Sequence, residues 1–93
     1  MRKKSNPKEL TGKHAELIHS EDRKVVSHVQ REQGEWIINT VMIEGCDVPF
    51  RFKRKQAYRN LNGARVNLTY YPDKEKVAMF EMDVFNVVRI KVS

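Results

Sequence analysis

Apolar and polar side chains alternate over most of the chain after Glu35, and this period of two residues is typical of strands that bury one face. Polar turn segments at 44–47 and 72–76 interrupt the pattern. Short connections of this kind join antiparallel neighbours. The sequence therefore predicts strands over 36–43, 48–53, 65–71 and 77–92, the last being either one long bent strand or two short ones.

The segment between the second and third predicted strands has two interpretations. Residues 56–61 form one helical turn that ends at Asn62-Gly63, or Asn62-Gly63 is itself a tight hairpin turn. Both interpretations reverse the chain at this point.

The first third of the chain carries helix signals instead. Asn6, Pro7 and Glu9 suit the cap and first turn of a helix that begins at Pro7. An apolar stripe at helical spacing follows it: Leu10, His14, Leu17 and Ile18.

A second helix is predicted from a cap at residues 20–22 to a stop at Gly34, with valines at helical spacing. The alternative is a strand over Lys24 to Arg31, because the segment is rich in β-branched residues and Gln33-Gly34 suits a hairpin turn. We prefer the helix.

These patterns predict an α+β fold: an N-terminal helical segment packed on a small, curled four- or five-stranded antiparallel sheet, or on a barrel like the OB or SH3 barrels. At 93 residues we expect one domain. Residues 1–5 are predicted to be a flexible basic arm, and residues 6–93 the domain, mainly helical over 6–34 and made of antiparallel strands over 35–93.

Several classes of function lack support in the sequence. The single cysteine, Cys46, forms no internal disulfide, and neither a signal peptide nor a membrane span is evident, so we expect a cytoplasmic protein. His14, His19 and His28 lack the spacing of metal ligands, and no phosphate-binding glycine loop is present. No nucleophile, base and orienting residue can be combined, so we predict a protein without enzymatic activity, metal or cofactor.

Positive charge is concentrated in residues 50–65, which hold six of the 18 lysines and arginines and none of the 12 acids. Those six charges equal the formal net charge of +6, and such a cluster suits an anionic partner such as a phosphate backbone. Strand alternation points Phe50 and Phe52 inward and Arg51 and Lys53 outward. The predicted phosphate contacts are Arg51, Lys53, Arg54, Lys55, Arg59 and Arg65.

Two tyrosines are candidates for stacking on an unpaired base. Tyr58 lies within the basic segment, and Tyr71 faces outward if Val66, Leu68 and Tyr70 face inward. The sequence thus predicts non-catalytic binding of RNA or single-stranded nucleic acid. In the competing interpretation the cations only protect an exposed edge strand and the aromatic rings lie in the core.

A second hypothesis is a protein-interaction module. It docks an acidic partner or associates with itself through an edge strand, and it uses either the strand that contains Pro49 or the N-terminal helix. Proline suits an edge because it has no amide hydrogen to donate. The oligomeric state is left open by the sequence.

Two strings are the most distinctive of the chain: T-V-M-I-E-G-C-D-V-P-F-R-F-K-R-K and G-A-R-V-N-L-T-Y-Y-P. With them the chain resembles a family of short bacterial proteins of unknown function. The resemblance implies no activity, cofactor or site residue.

Overall fold

Five strands make up the fold in the computed structural model, which describes residues 16–93. They are β1 (Ile18–Gln33), β2 (Trp36–Ile43), β3 (Phe50–Arg54), β4 (Arg65–Val77) and β5 (Phe80–Val92). The strands close into a barrel in the order β1-β2-β3-β5-β4, with β4 returning to β1. All neighbours are antiparallel except β3 and β5, which are parallel.

The alternating residues of these strands fill the barrel. Phe50 and Phe52 are buried, as the period of two predicts, and the ring of Phe50 packs edge-on against Tyr70 with centroids 4.8 Å apart. The inward direction predicted for Val66, Leu68 and Tyr70 is also confirmed. The core is therefore one apolar cluster: Val25, Val41, Ile43, Phe50, Phe52, Leu61, Val66, Leu68, Tyr70 and Ile90.

The predicted α+β class is wrong, because residues 16–93 contain strands and no helix. The helix predicted between residues 22 and 34 is part of β1, so the alternative of a strand over Lys24 to Arg31 is confirmed. The part of β1 up to Lys24 pairs with β4 and the part from Val25 onward pairs with β2, so non-local pairing holds both parts as a strand. The sheet is mixed rather than antiparallel because β3 runs parallel to β5.

The helix predicted from Pro7 falls largely within residues 1–15, which lie outside the described part of the chain. The basic arm predicted over residues 1–5 lies entirely outside it. Ile18, the last residue of the predicted apolar stripe, is the first residue of β1. In the described part of the chain no helix is long and apolar enough to cross a membrane.

Two turns differ in their outcome. The hairpin between β1 and β2 turns at Gly34, whose φ of 63° suits glycine. The polar segment 72–76, predicted to be a turn, instead lies within β4, and the chain reverses at 78–79, where Ala78 has a φ of 56°. The polar composition of the segment suggested the turn at 72–76, but most of these residues are exposed on a projecting strand.

A hydrogen-bonded network holds the connection between β3 and β4 against the barrel. The Leu61 amide donates to Nδ1 of His28 at 2.9 Å, so the neutral ring carries its proton on Nε2 and donates it to Oδ1 of Asn39 at 2.8 Å. Asn39 is fully buried. The side chain of Gln30 accepts a hydrogen bond from the Tyr58 amide at 2.9 Å, which fixes the start of the same connection.

The hairpin of β4 and β5 extends beyond the barrel. Pairing of β1 with β4 ends at Tyr70, and pairing of β3 with β5 involves Phe85 and Asn86. Within the described residues, the segment 73–84 forms strand pairs only with itself. We call this segment the arm.

Candidate nucleic-acid interface

A basic surface covers the outer face of β1, β2 and β3. The strand register places Arg31 beside Ile38 and Ile38 beside Lys53, which makes one row across the three strands. A second row runs from Val29 through Thr40 to Arg51. We call the four cations on this face the basic wall: Arg31, Arg51, Lys53 and Lys55.

Arg31 and Arg51 of the basic wall and Glu75 of the arm line a cleft of about 340 Å³. The arm contributes Glu75, whose carboxylate accepts a hydrogen bond from Nη1 of Arg51. Nε of Arg51 donates to the Thr40 hydroxyl at 3.2 Å. These two hydrogen bonds fix the Arg51 side chain between the sheet and the arm, and about a third of the side chain is exposed.

The cation of Lys55 lies at the margin of this face. Its Nζ is 4.9 Å from the centre of the Trp36 ring and 3.2 Å from the carboxylate of Glu35. Trp36 is 42% exposed, so the wall ends at an accessible aromatic side chain.

The structure brings three of the six predicted phosphate contacts together, namely Arg51, Lys53 and Lys55. Arg65 lies elsewhere: it pairs with Lys24 on β1, donates to the Asp22 carbonyl at 2.9 Å and lies 3.6 Å from that residue's carboxylate. Arg59 is exposed in the connection between β3 and β4.

Arg54 has a packing role at the end of the barrel. Its guanidinium lies 4.9 Å from the Phe52 ring centre and 5.6 Å from that of Tyr58. The Tyr58 ring packs edge-on against Phe52 at 5.6 Å, so it belongs to the edge of the core rather than to an open stacking surface.

Tyr71 is half-buried on the outside of β4. It pairs with Asn86, which in turn neighbours Arg51, so these three side chains continue one row across the sheet. Asn86 donates to the Tyr71 hydroxyl at 3.5 Å and to the Asp73 carboxylate at 2.6 Å. Tyr71 is thus near the cleft but partly covered.

Three of the six predicted phosphate-contacting residues form ion pairs with carboxylates. The pairs are Arg51 with Glu75, Lys55 with Glu35, and Arg65 with Asp22. Among the described residues no carboxylate is paired with Lys53, Arg54 or Arg59. The pairs at Lys55 and Arg65 are largely exposed, and exposed pairs are worth only about 0–1 kcal/mol, so a phosphate can replace such a carboxylate at little cost.

Three residues of this surface were missed by sequence reasoning: Arg31, Trp36 and Glu75. Arg31 was placed in a helix over 22–34 and Glu75 in a turn at 72–76, so neither residue was recognised as part of this surface. The alternation itself contains a signal for Trp36, because buried Asn39 and Val41 imply that residues 36, 38 and 40 face outward.

A second cleft, of about 330 Å³, lies on the outer face of β1, β4 and β5. Its lining includes Arg89, Lys91, Glu21 and His19, whose Nδ1 is 2.9 Å from the Thr69 hydroxyl. In residues 16–93 no group of three histidine, cysteine or acidic side chains is arranged to hold a metal ion.

No protein-family model, no curated protein and no solved structure matches this chain.

Proposed function

We propose that the chain binds RNA or single-stranded nucleic acid at the basic wall, without catalysing a reaction. The observation that carries the proposal is the position of the four wall cations on one outer face of the barrel, beside an exposed Trp36. Cations give sequence-independent affinity for phosphates, and an aromatic ring gives a surface on which a base stacks.

The spacing of the wall suits an extended ligand. Arg31 and Lys53 flank Ile38 across neighbouring strands, and strands lie about 4.8 Å apart, so the backbone positions of the two residues are separated by about 10 Å. Successive phosphates can contact such a row while the bases turn toward the cleft. Five-stranded barrels that bind oligonucleotides use the face of their strands 2 and 3, and this architectural analogy supports the same location here.

The revised site differs from the predicted one. Lys53 remains central, Arg31 and Trp36 are added, and Arg65 is left out because it is bound to Asp22 at another part of the barrel. Tyr58 is replaced by Trp36 as the stacking residue because the Tyr58 ring packs on Phe52.

Fluorescence anisotropy with labelled single-stranded RNA and DNA oligonucleotides, measured over a range of salt concentrations, tests the proposal. Three phosphate contacts on a single strand give a slope of about −2 in log affinity against log salt. The double variant Arg31→Ala/Lys53→Ala is expected to weaken binding about tenfold or more and to flatten this slope.

The matched control is Arg89→Ala/Lys91→Ala, which removes the same charge from the second cleft. Equal losses in the two double variants would show that net charge, and not the basic wall, governs binding. No binding by the unaltered protein near physiological salt would refute the proposal. Polyglutamate is added as a competitor at the same concentration of negative charge as the oligonucleotide. If polyglutamate displaces the oligonucleotide, the basic wall is better described as a docking site for an acidic protein.

A further inference from the structure

The arm has two unlike faces. Register pairs Lys74 with Asp83 and Lys76 with Glu81 on one face, and Lys74 and Asp83 form an ion pair of 2.9 Å. The opposite face carries Val77, Phe80 and Met82, of which Phe80 is 72% exposed. Toward its tip the arm is thus amphipathic, with an uncovered apolar face.

The apolar face is turned to the side of the cleft. Glu75 pairs with Met82 and shares its face, and Glu75 reaches Arg51 of the basic wall. Val77 and Phe80, the next pair toward the tip, continue that same face. The arm therefore carries exposed apolar and aromatic side chains on the same face that meets the basic wall at Glu75.

Symmetric strand pairing with a second copy does not account for this exposure. The turn at 78–79 directs the free backbone groups of Lys74 and Lys76 to one edge of the arm and those of Glu81 and Asp83 to the other. Symmetric antiparallel pairing along either edge would place lysine against lysine or acid against acid, which is destabilising.

We propose that Phe80 stacks on an unpaired base of a nucleic-acid strand whose phosphates lie on the basic wall. This inference rests on the proposed function and extends the same binding site from the basic wall onto the arm. A single strand has charged phosphates along one side and apolar base faces along the other, which matches a cationic face of the barrel beside an apolar, aromatic face of the arm. A duplex keeps its bases stacked internally and offers Phe80 no free face.

The test compares Phe80→Ala and Phe80→Leu with Val88→Ala, in fluorescence anisotropy with a labelled single-stranded oligonucleotide and with the corresponding duplex. Val88 is a matched control because it is 54% exposed on β5 outside the arm. Loss of a stacked ring costs about a factor of ten in affinity, so Phe80→Ala is expected to bind the single strand about tenfold more weakly. Phe80→Leu restores little of that loss, while Phe80→Trp retains affinity.

The outcomes separate the two proposals. The stacking role is supported if the unaltered protein binds and Phe80→Ala binds the single strand tenfold more weakly while its affinity for the duplex is unchanged. Unaltered protein that binds, with Phe80→Ala equal to Val88→Ala, overturns the role of the arm and leaves the basic wall intact. Full affinity in Phe80→Leu would replace stacking with simple apolar contact and also overturn the inference. Absence of binding by the unaltered protein overturns both proposals.

Discussion

Two phenylalanines show how differently the barrel and the arm use the same side chain. Phe50 in β3 is 3% exposed and packs against Tyr70 and Phe85 at 4.8 and 4.9 Å, whereas Phe80 in the arm is 72% exposed. Burial of an aromatic ring stabilises a fold, while exposure of one leaves its faces free for a ligand. The barrel is therefore the main source of stability, and the tip of the arm contributes surface.

Alanine at each phenylalanine is the most severe test of this contrast. Phe50→Ala leaves a cavity among packed rings and is expected to lower the free energy of unfolding by about 3–5 kcal/mol. Phe80→Ala removes few contacts and is expected to change it by about 0.5 kcal/mol or less. Urea unfolding followed by Trp36 fluorescence measures both. A large loss in Phe80→Ala would mean that the arm is packed, and the contrast would fail.

The sequence predicted the barrel core well because strand alternation is a local pattern. Buried Phe50 and Phe52 in β3, and Val66, Leu68 and Tyr70 in β4, follow directly from a period of two. Two of these strands begin near Pro49 and Gly63, residues that mark turns.

The helix predicted between residues 22 and 34 failed because non-local pairing determined the structure of that segment. Asp22 was interpreted as part of a helix cap, but its φ of 57° lies in an irregularity of β1 between Ser20 and Arg23. Short acidic side chains tolerate this conformation as readily as they cap a helix, so the residue type alone does not distinguish the two.

The cleft between the barrel and the arm was invisible to sequence reasoning for the same reason. Arg51 and Glu75 are 24 residues apart, and only the bend of the β4–β5 hairpin brings them together. The positive charge of residues 50–65 was evident, but the separation of Arg65 from Lys53 depends on the course of the connection between β3 and β4.

Glu75 is where the two regions touch, and removing its charge sharpens the comparison. The carboxylate occupies a position beside Arg51 that a phosphate would use. Glu75→Gln is therefore expected to raise affinity for a single-stranded oligonucleotide about two- to fivefold, in line with about 0.5–1 kcal/mol for a partly exposed pair. Anisotropy at low salt measures it.

Glu81→Gln is the control, because it removes the same charge from the opposite face of the arm. If both variants raise affinity equally, long-range charge is responsible and Glu75 has no special position in the cleft. Unchanged affinity in Glu75→Gln would exclude Arg51 as a phosphate contact.

The smallest expected effect lies on the charged face of the arm. A hydrogen bond from Lys74 to Asp83, followed by the charge of Asp83 and that of Glu81, raises the pKa of Lys74 above its ordinary value of 10.5. A raised pKa in the folded state means that the ion pair stabilises the fold fully below pH 10.5 and loses this contribution as the pH rises through the folded value. Asp83→Asn should return the pKa of Lys74 toward 10.5, which an NMR titration of its side chain detects. An identical titration in both proteins would show that Lys74 and Asp83 do not pair in solution. The charged face of the arm would then be free of internal ion pairing and as open to a ligand as the apolar face.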